Sequence, residues 1–187
     1  KNLFAILSVL GLVFLGVVTP HVMAAEKVME KDTVTTVTEQ TNIVKTADNF
    51  IILFDSSSSM NDPYLNTGMS KLKAAKKILQ EKNKTLPDLG YNAGLYLVSN
   101  FKPIYMMQKY DREKVAAALD QLPEKGSGAT LFVEGMRNLR GVLKNLSGRT
   151  VVFLFTDGHY TPTPGMKKPS QIAKELSDKH DVCFYVI

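Results

Sequence analysis

The chain has 187 residues, 44% of them hydrophobic, and a formal net charge of +5. That supplies one real core with appendages, and its Lys and Arg residues form no dense tract, which argues against a nucleic-acid binder. A single cysteine, Cys183, excludes an internal disulfide, and its place in the apolar run 182–187 reads as a small core residue.

Lys1 precedes an almost wholly apolar stretch from Leu3 to Val18, followed by Thr19-Pro20 and the small residues Met23-Ala24-Ala25. This is the layout of a secretory signal peptide. The run is about 16 residues, short of the roughly 20 of a transmembrane helix. Val22 and Ala24 suit a cut after Ala24, so residues 1–24 are expected to leave, with an uncleaved membrane anchor as the rival. Export to the periplasm, the outer envelope or the extracellular space follows. Residues 25–47 are polar and Thr-rich without a helical stripe and read as a linker, leaving a domain over 48–187.

From Asn49 strands and helices alternate. Phe50-Ile-Ile-Leu-Phe54 is a continuous apolar run, the mark of a strand buried on both faces, and it ends in Asp55-Ser-Ser-Ser-Ser59. A helix is predicted from about Ser70, its cap, with Leu72, Ala75, Ile78 and Leu79 inward. The interleaved Lys71, Lys73, Lys76 and Lys77 then read as a solvated face. Residues 91–98 form a second strand, and the short gap before 104–107 makes the third an antiparallel edge. Asp111 is the expected cap of a helix carrying Val115, Ala118, Leu119 and Leu122. A Gly126-Ser-Gly-Ala-Thr130 loop leads to a helix with a stripe from Val133 to Leu146. Thr150–Phe155 is again fully apolar after its first residue and again ends in an acid, Thr156-Asp157-Gly158. A last helix with Ile172, Ala173 and Leu176 precedes the final strand.

The predicted fold class is α/β: a doubly wound, mostly parallel sheet with an antiparallel edge strand and helices on both faces. The last strand would leave apolar residues on an open edge, so the chain is expected to be truncated at its C-terminus. In such a sheet the loops at the carboxyl ends of neighbouring strands gather at one edge. That would unite Asp55, Ser57, Ser59, Thr130 and Asp157, two carboxylates and three hydroxyls. An all-oxygen set of this charge suits a hard, partly hydrated dication, Mg²⁺ or Mn²⁺ ahead of Ca²⁺. Gly128 is expected to let the backbone approach the ion, and Gly158 to relax the turn after Asp157.

Asp55-x-Ser57-x-Ser59, Gly128-Ala-Thr130 and Thr156-Asp157-Gly158, in that order and in those elements, resemble a von Willebrand factor type A domain with its metal-ion-dependent adhesion site. The resemblance implies a Rossmann-like fold over about 48–187, with Ser57, Ser59 and Thr130 binding the ion directly and Asp55 and Asp157 acting mainly through water. It further implies a partner protein that supplies an acidic residue to the ion. The stretches Asp55–Tyr64 and Leu86–Tyr96 are similar to bacterial envelope proteins that join such a domain to an outer-membrane-protein-A-like, peptidoglycan-binding module. Two other readings stand beside adhesion: an architectural spacer for a cell-wall module, and, remotely, a metal-dependent hydrolase. Against an enzyme, Ser57 occupies the place where an aspartyl phosphatase would carry its second acid. Only His21, His159 and His180 could serve zinc, and His159 reads as a rim residue.

Overall fold

A strand flanked on both sides and covered on both faces is buried at every position, and in the first strand the one polar residue, Asn49, has its amide hydrogen-bonded. In the computed structural model, which describes residues 43–162 and 164–187, β1 (Asn49–Phe54) is buried at all six positions. It lies at the centre of a five-stranded sheet with β2 (Asn92–Leu97), β3 (Pro103–Lys109), β4 (Thr150–Phe155) and β5 (Val182–Val186), in the order β3-β2-β1-β4-β5. β1 pairs in parallel with β2 on one side and β4 on the other, and β4 pairs in parallel with β5. The predicted edge hairpin is present: β3 runs antiparallel to β2, with an irregular register around Ala93 and Leu95.

Helices α1 (Lys71–Thr85), α2 (Arg112–Asp120), α3 (Phe132–Leu143) and α4 (Pro169–Ser177) connect the strands. Ser70 caps α1 by accepting from the Lys73 N–H, and Asp111 caps α2 by accepting from Glu113 and Lys114, as their side-chain chemistry predicts. α3 stops at Leu143 rather than reaching Leu146, which packs against the core from the following turn. Strand side chains alternate between faces. Ile51, Leu53, Val152 and Leu154 therefore share a core with Met136 and Leu139 of α3 and with Ile172 and Leu176 of α4. Phe50, Ile52 and Phe54 are buried on the opposite face, where Phe50 packs against Tyr91 and Tyr110.

Register decides where the loops emerge. Phe54 lies level with Leu97 of β2 and Phe155 of β4, so Asp55 and Thr156 leave adjacent strand ends side by side. The chain goes from β1 to β2 on one side, then returns to β4 on the other. The strand order therefore reverses between β1 and β4, and the crevice outside their carboxyl ends is where such sheets hold ligands. Cys183 is half-buried rather than fully interior, with its Sγ 3.8 Å from the Thr150 carbonyl. The signal peptide 1–24 and nearly all of the linker 25–47 lie outside the described residues, as does His21.

Candidate metal centre

Asp55 continues β1 by one step, its N–H donating to the Phe155 carbonyl at 2.9 Å. Its side chain is fully buried: Oδ1 accepts from the Ser57 N–H at 2.9 Å and Oδ2 from the Thr156 hydroxyl at 2.9 Å. Burial pushes this carboxyl up from its ordinary value, while the two hydrogen bonds pull it back down. Both donors are neutral, so the carboxylate keeps its charge for another cation. Thr156 also accepts from the Gly158 N–H at 3.0 Å, which ties the end of β4 to the turn that carries Asp157.

Ser57 precedes a single 3₁₀ turn, Ser58–Asn61, anchored by buried Met60. The turn brings Ser57 Oγ within 3.2 Å of Ser59 Oγ, and Ser59 donates to Asp157 Oδ1 at 3.3 Å. Asp55, Ser57, Ser59 and Asp157 therefore form one connected chain of polar contacts, drawn from two strand ends. Thr130 is hydrogen-bonded to none of these four. Its loop reaches the serine loop where Ser127 N–H donates to the Ser56 carbonyl at 2.8 Å and Ser58 N–H donates to the Gly128 carbonyl at 3.0 Å. Thr130 itself is buried, with its carbonyl accepting from Thr161 N–H at 3.0 Å.

Two residues of this junction carry roles the sequence did not reveal. Asn61 clasps the Thr130 loop, donating to the Gly126 carbonyl and accepting from the Gly126 N–H, each at 2.8 Å. A Cβ on Gly126 would lie 2.1 Å from the Ser57 carbonyl oxygen. The close approach of this loop to the serine loop thus belongs to Gly126. Gly128 has open space around it and serves instead through its φ of +72°, as Gly158 does at +81°.

Lys71 also departs from the solvated face expected of it. Its Nζ lies 2.9 Å from Asp157 Oδ2 and 3.3 Å from Asp62 Oδ2. His159, exposed at the rim as anticipated, places Nδ1 3.2 Å from the same Asp157 oxygen. Burial would push Asp157 up, but the bonds from Lys71 and His159 outweigh it and hold its carboxyl down at about 2. Nothing within α1 signals this contact, because the partner acid lies 86 residues away along the chain. Lys76 likewise turns inward, to the Leu122 carbonyl and to Glu124.

Among the described residues, no three His, Cys, Asp or Glu side chains gather as a metal-binding group. The donors at the β1–β4 crevice are instead hydroxyls with two carboxylates, the chemistry of a hard divalent ion. A buried acid bonded only by neutral donors and two hydroxyls in mutual contact fit such an ion.

No curated protein matches the chain in sequence. Among solved structures, proximal thread matrix protein 1 from the mussel byssus, in a form with a zinc-occupied MIDAS motif, is similar at 21% identity and TM-score 0.58, covering 74% of this chain and 37% of its own. BatB from Bacteroides thetaiotaomicron is similar at 19% identity and TM-score 0.55, covering 74% of this chain and 64% of its own. Manganese-loaded TRAP protein from Plasmodium vivax is similar at 18% identity and TM-score 0.54, covering 74% and 55%. The chain thus spans between about a third and two thirds of these proteins, and at such identities the likeness is one of fold. The family pattern of the von Willebrand factor type A domain matches residues 50–159, which holds both strand ends, the serine loop and Asp157. With its strand order, its parallel register and this match together, the chain belongs to the von Willebrand factor type A domain family.

Proposed function

We propose that the domain is a divalent-metal-dependent protein-binding module, exported to the bacterial cell envelope, that grips a carboxylate of a partner protein. In this reading Ser57, Ser59 and Thr130 hold a Mg²⁺ or Mn²⁺ ion directly, and Asp55 and Asp157 hold it mainly through water. The observation that carries the reading is the contact chain Asp55–Ser57–Ser59–Asp157 at the β1–β4 crevice, with Asp55 buried and bonded by neutral groups. The bound ion would supply an electrophilic positive centre. With neutral hydroxyls as inner ligands, its charge is only partly cancelled, so it attracts an outside acid. The zinc-occupied MIDAS motif of the mussel protein and the manganese of the Plasmodium protein support a divalent ion here. The apolar stretch from Leu3 to Val18 and the small residues Met23-Ala24-Ala25 after it support export. We read the module as a grip and not a catalyst, since Ser57 stands where an aspartyl phosphatase would carry its second acid.

Titration of the EDTA-treated protein with Mn²⁺, followed by calorimetry, tests this. One ion per chain is expected, and Asp55→Asn, which keeps the side chain's shape, should lose it with an unchanged circular dichroism spectrum. An array of acidic peptides should then bind in Mn²⁺ and release in EDTA. Equal Mn²⁺ binding by wild type and Asp55→Asn would falsify the metal mechanism. Peptide binding indifferent to EDTA would favour the architectural spacer.

A further inference from the structure

We propose that Lys71 is a resident counter-cation of this centre, an ammonium that a divalent ion must displace from Asp157 towards Asp62. The inference rests on the metal-binding reading above and adds a residue that sets the affinity of the site.

Its first support is local. Lys71 is the first residue of α1, where the helix dipole presents partial positive charge and an acid is the favoured residue; the first turn contains no acid at all. A cation held against that field needs compensation from elsewhere, and two carboxylates provide it, at 2.9 and 3.3 Å. The second support is geometric. The Asp157 side chain is 5% exposed and faces the cluster, whereas that of Asp62 is 61% exposed. Lys71 thus bridges an inner acid that belongs to the centre and an outer one that does not. Asp62 is also held by the backbone to the same helix start, its carbonyl accepting from Lys71 N–H at 2.9 Å. The side chain can therefore move from the inner acid to the outer without any shift of the helix. The third is electrostatic. An ammonium and a dication both drawn to Asp157 repel each other, and a partly buried pair is only partly screened by salt.

Mn²⁺ affinity of the full chain, measured by calorimetry on wild type, Lys71→Met, Lys71→Arg and Asp62→Asn, tests the proposal. Lys71→Met keeps the length and helix preference of the side chain without its charge, and is expected to bind about tenfold more tightly, a gain of about 1.4 kcal/mol. Lys71→Arg should stay within about threefold of wild type, since a guanidinium competes as well. Asp62→Asn should weaken binding, because the displaced ammonium loses its second seat. That effect should vanish in the Lys71→Met background, whereas a simple long-range charge effect of Asp62 would persist there. Wild-type binding with no gain in Lys71→Met overturns the counter-cation and leaves the metal site standing. Absence of Mn²⁺ binding in every variant overturns both.

Discussion

Replacing Gly126 by alanine puts a Cβ 2.1 Å from the Ser57 carbonyl oxygen, 3.0 Å from its carbon and 3.3 Å from the Ser56 carbonyl oxygen. All three are backbone atoms, so no side chain can swing away, and roughly 1 Å of separation must come from moving one loop off the other. The two Asn61–Gly126 bonds and the bond from Ser127 N–H to Ser56 hold that junction at 2.8 Å each. Overpacking of this kind costs about 1–3 kcal/mol, and one strained or broken bond adds about 1 kcal/mol. A total near 3 kcal/mol corresponds to a melting midpoint lower by about 10 °C in a domain of this size. Thermal denaturation in EDTA measures it. Gly141 is the internal control: it sits in α3 with nothing near its would-be Cβ, so Gly141→Ala should be neutral or raise the midpoint. Because the Ser57 carbonyl and the Thr130 loop part together, Gly126→Ala should also lose at least about tenfold in Mn²⁺ affinity, or about 1.4 kcal/mol. A Gly126→Ala protein that melts within a degree of wild type and holds Mn²⁺ equally well refutes the idea that this contact sets the site.

Two further perturbations follow from buried polar groups. Asn49 is fully buried, donating to the Ser147 carbonyl at 2.9 Å and to the Thr150 hydroxyl at 3.2 Å, and accepting from Asn92 at 2.9 Å. Asn49→Ala strands these partners and should cost about 2–3 kcal/mol in urea denaturation. It lies at the opposite ends of the strands from the cluster, so more than a threefold change in Mn²⁺ affinity would contradict the assignment of the site. The acid limb of stability is the other. Asp157 is held at about 2 against an ordinary 3.8, so the stability it contributes is present above pH 3.8 and is lost as pH falls towards 2. Since Lys71 is 25% exposed, solvent screening reduces the loss to about 1 kcal/mol. Asp55 acts in the opposite sense: its carboxyl is pushed up by burial, so taking a proton favours the fold as pH falls. Denaturation of metal-free protein from pH 4 to pH 2 should show a shallower loss in Asp157→Asn than in wild type, whereas from pH 7 to pH 4 Asp55→Asn should lack the gain that proton uptake by Asp55 gives the wild type. Identical slopes in all three would show that neither acid is linked to folding.

The polar cluster is stable because its bonds are divided between backbone and side chain. Peptide groups fix the loops: Asp55 to Phe155, Ser58 to Gly128, Ser127 to Ser56. The side chains are then left to face one another at 3.2–3.3 Å, and Ser57 and Ser59 need no other partner to hold the turn. A site organised in this way would keep its donors in place while a bound cation exchanged, the preorganisation that tight and reversible binding requires.

The elements were legible in the amino-acid order because what specifies them is local. Phe50–Phe54 and Thr150–Phe155 announce strands buried on both faces, Ser70 and Asp111 announce helix starts through hydroxyl and carboxylate chemistry, and the acids just beyond two buried strands announce a site. What tertiary structure alone decided is who meets whom. Lys71 looked like part of a solvated face, yet helix phase and the parallel register of β1 with β4 bring it to Asp157. Asn61 carries no local signal of its role, yet it clasps Gly126 across 65 positions, and it is the Gly126 backbone that meets the Ser57 carbonyl. Propensity, capping and periodicity act over a few residues, whereas pairings across 65 to 101 positions depend on register, strand order and loop path taken together.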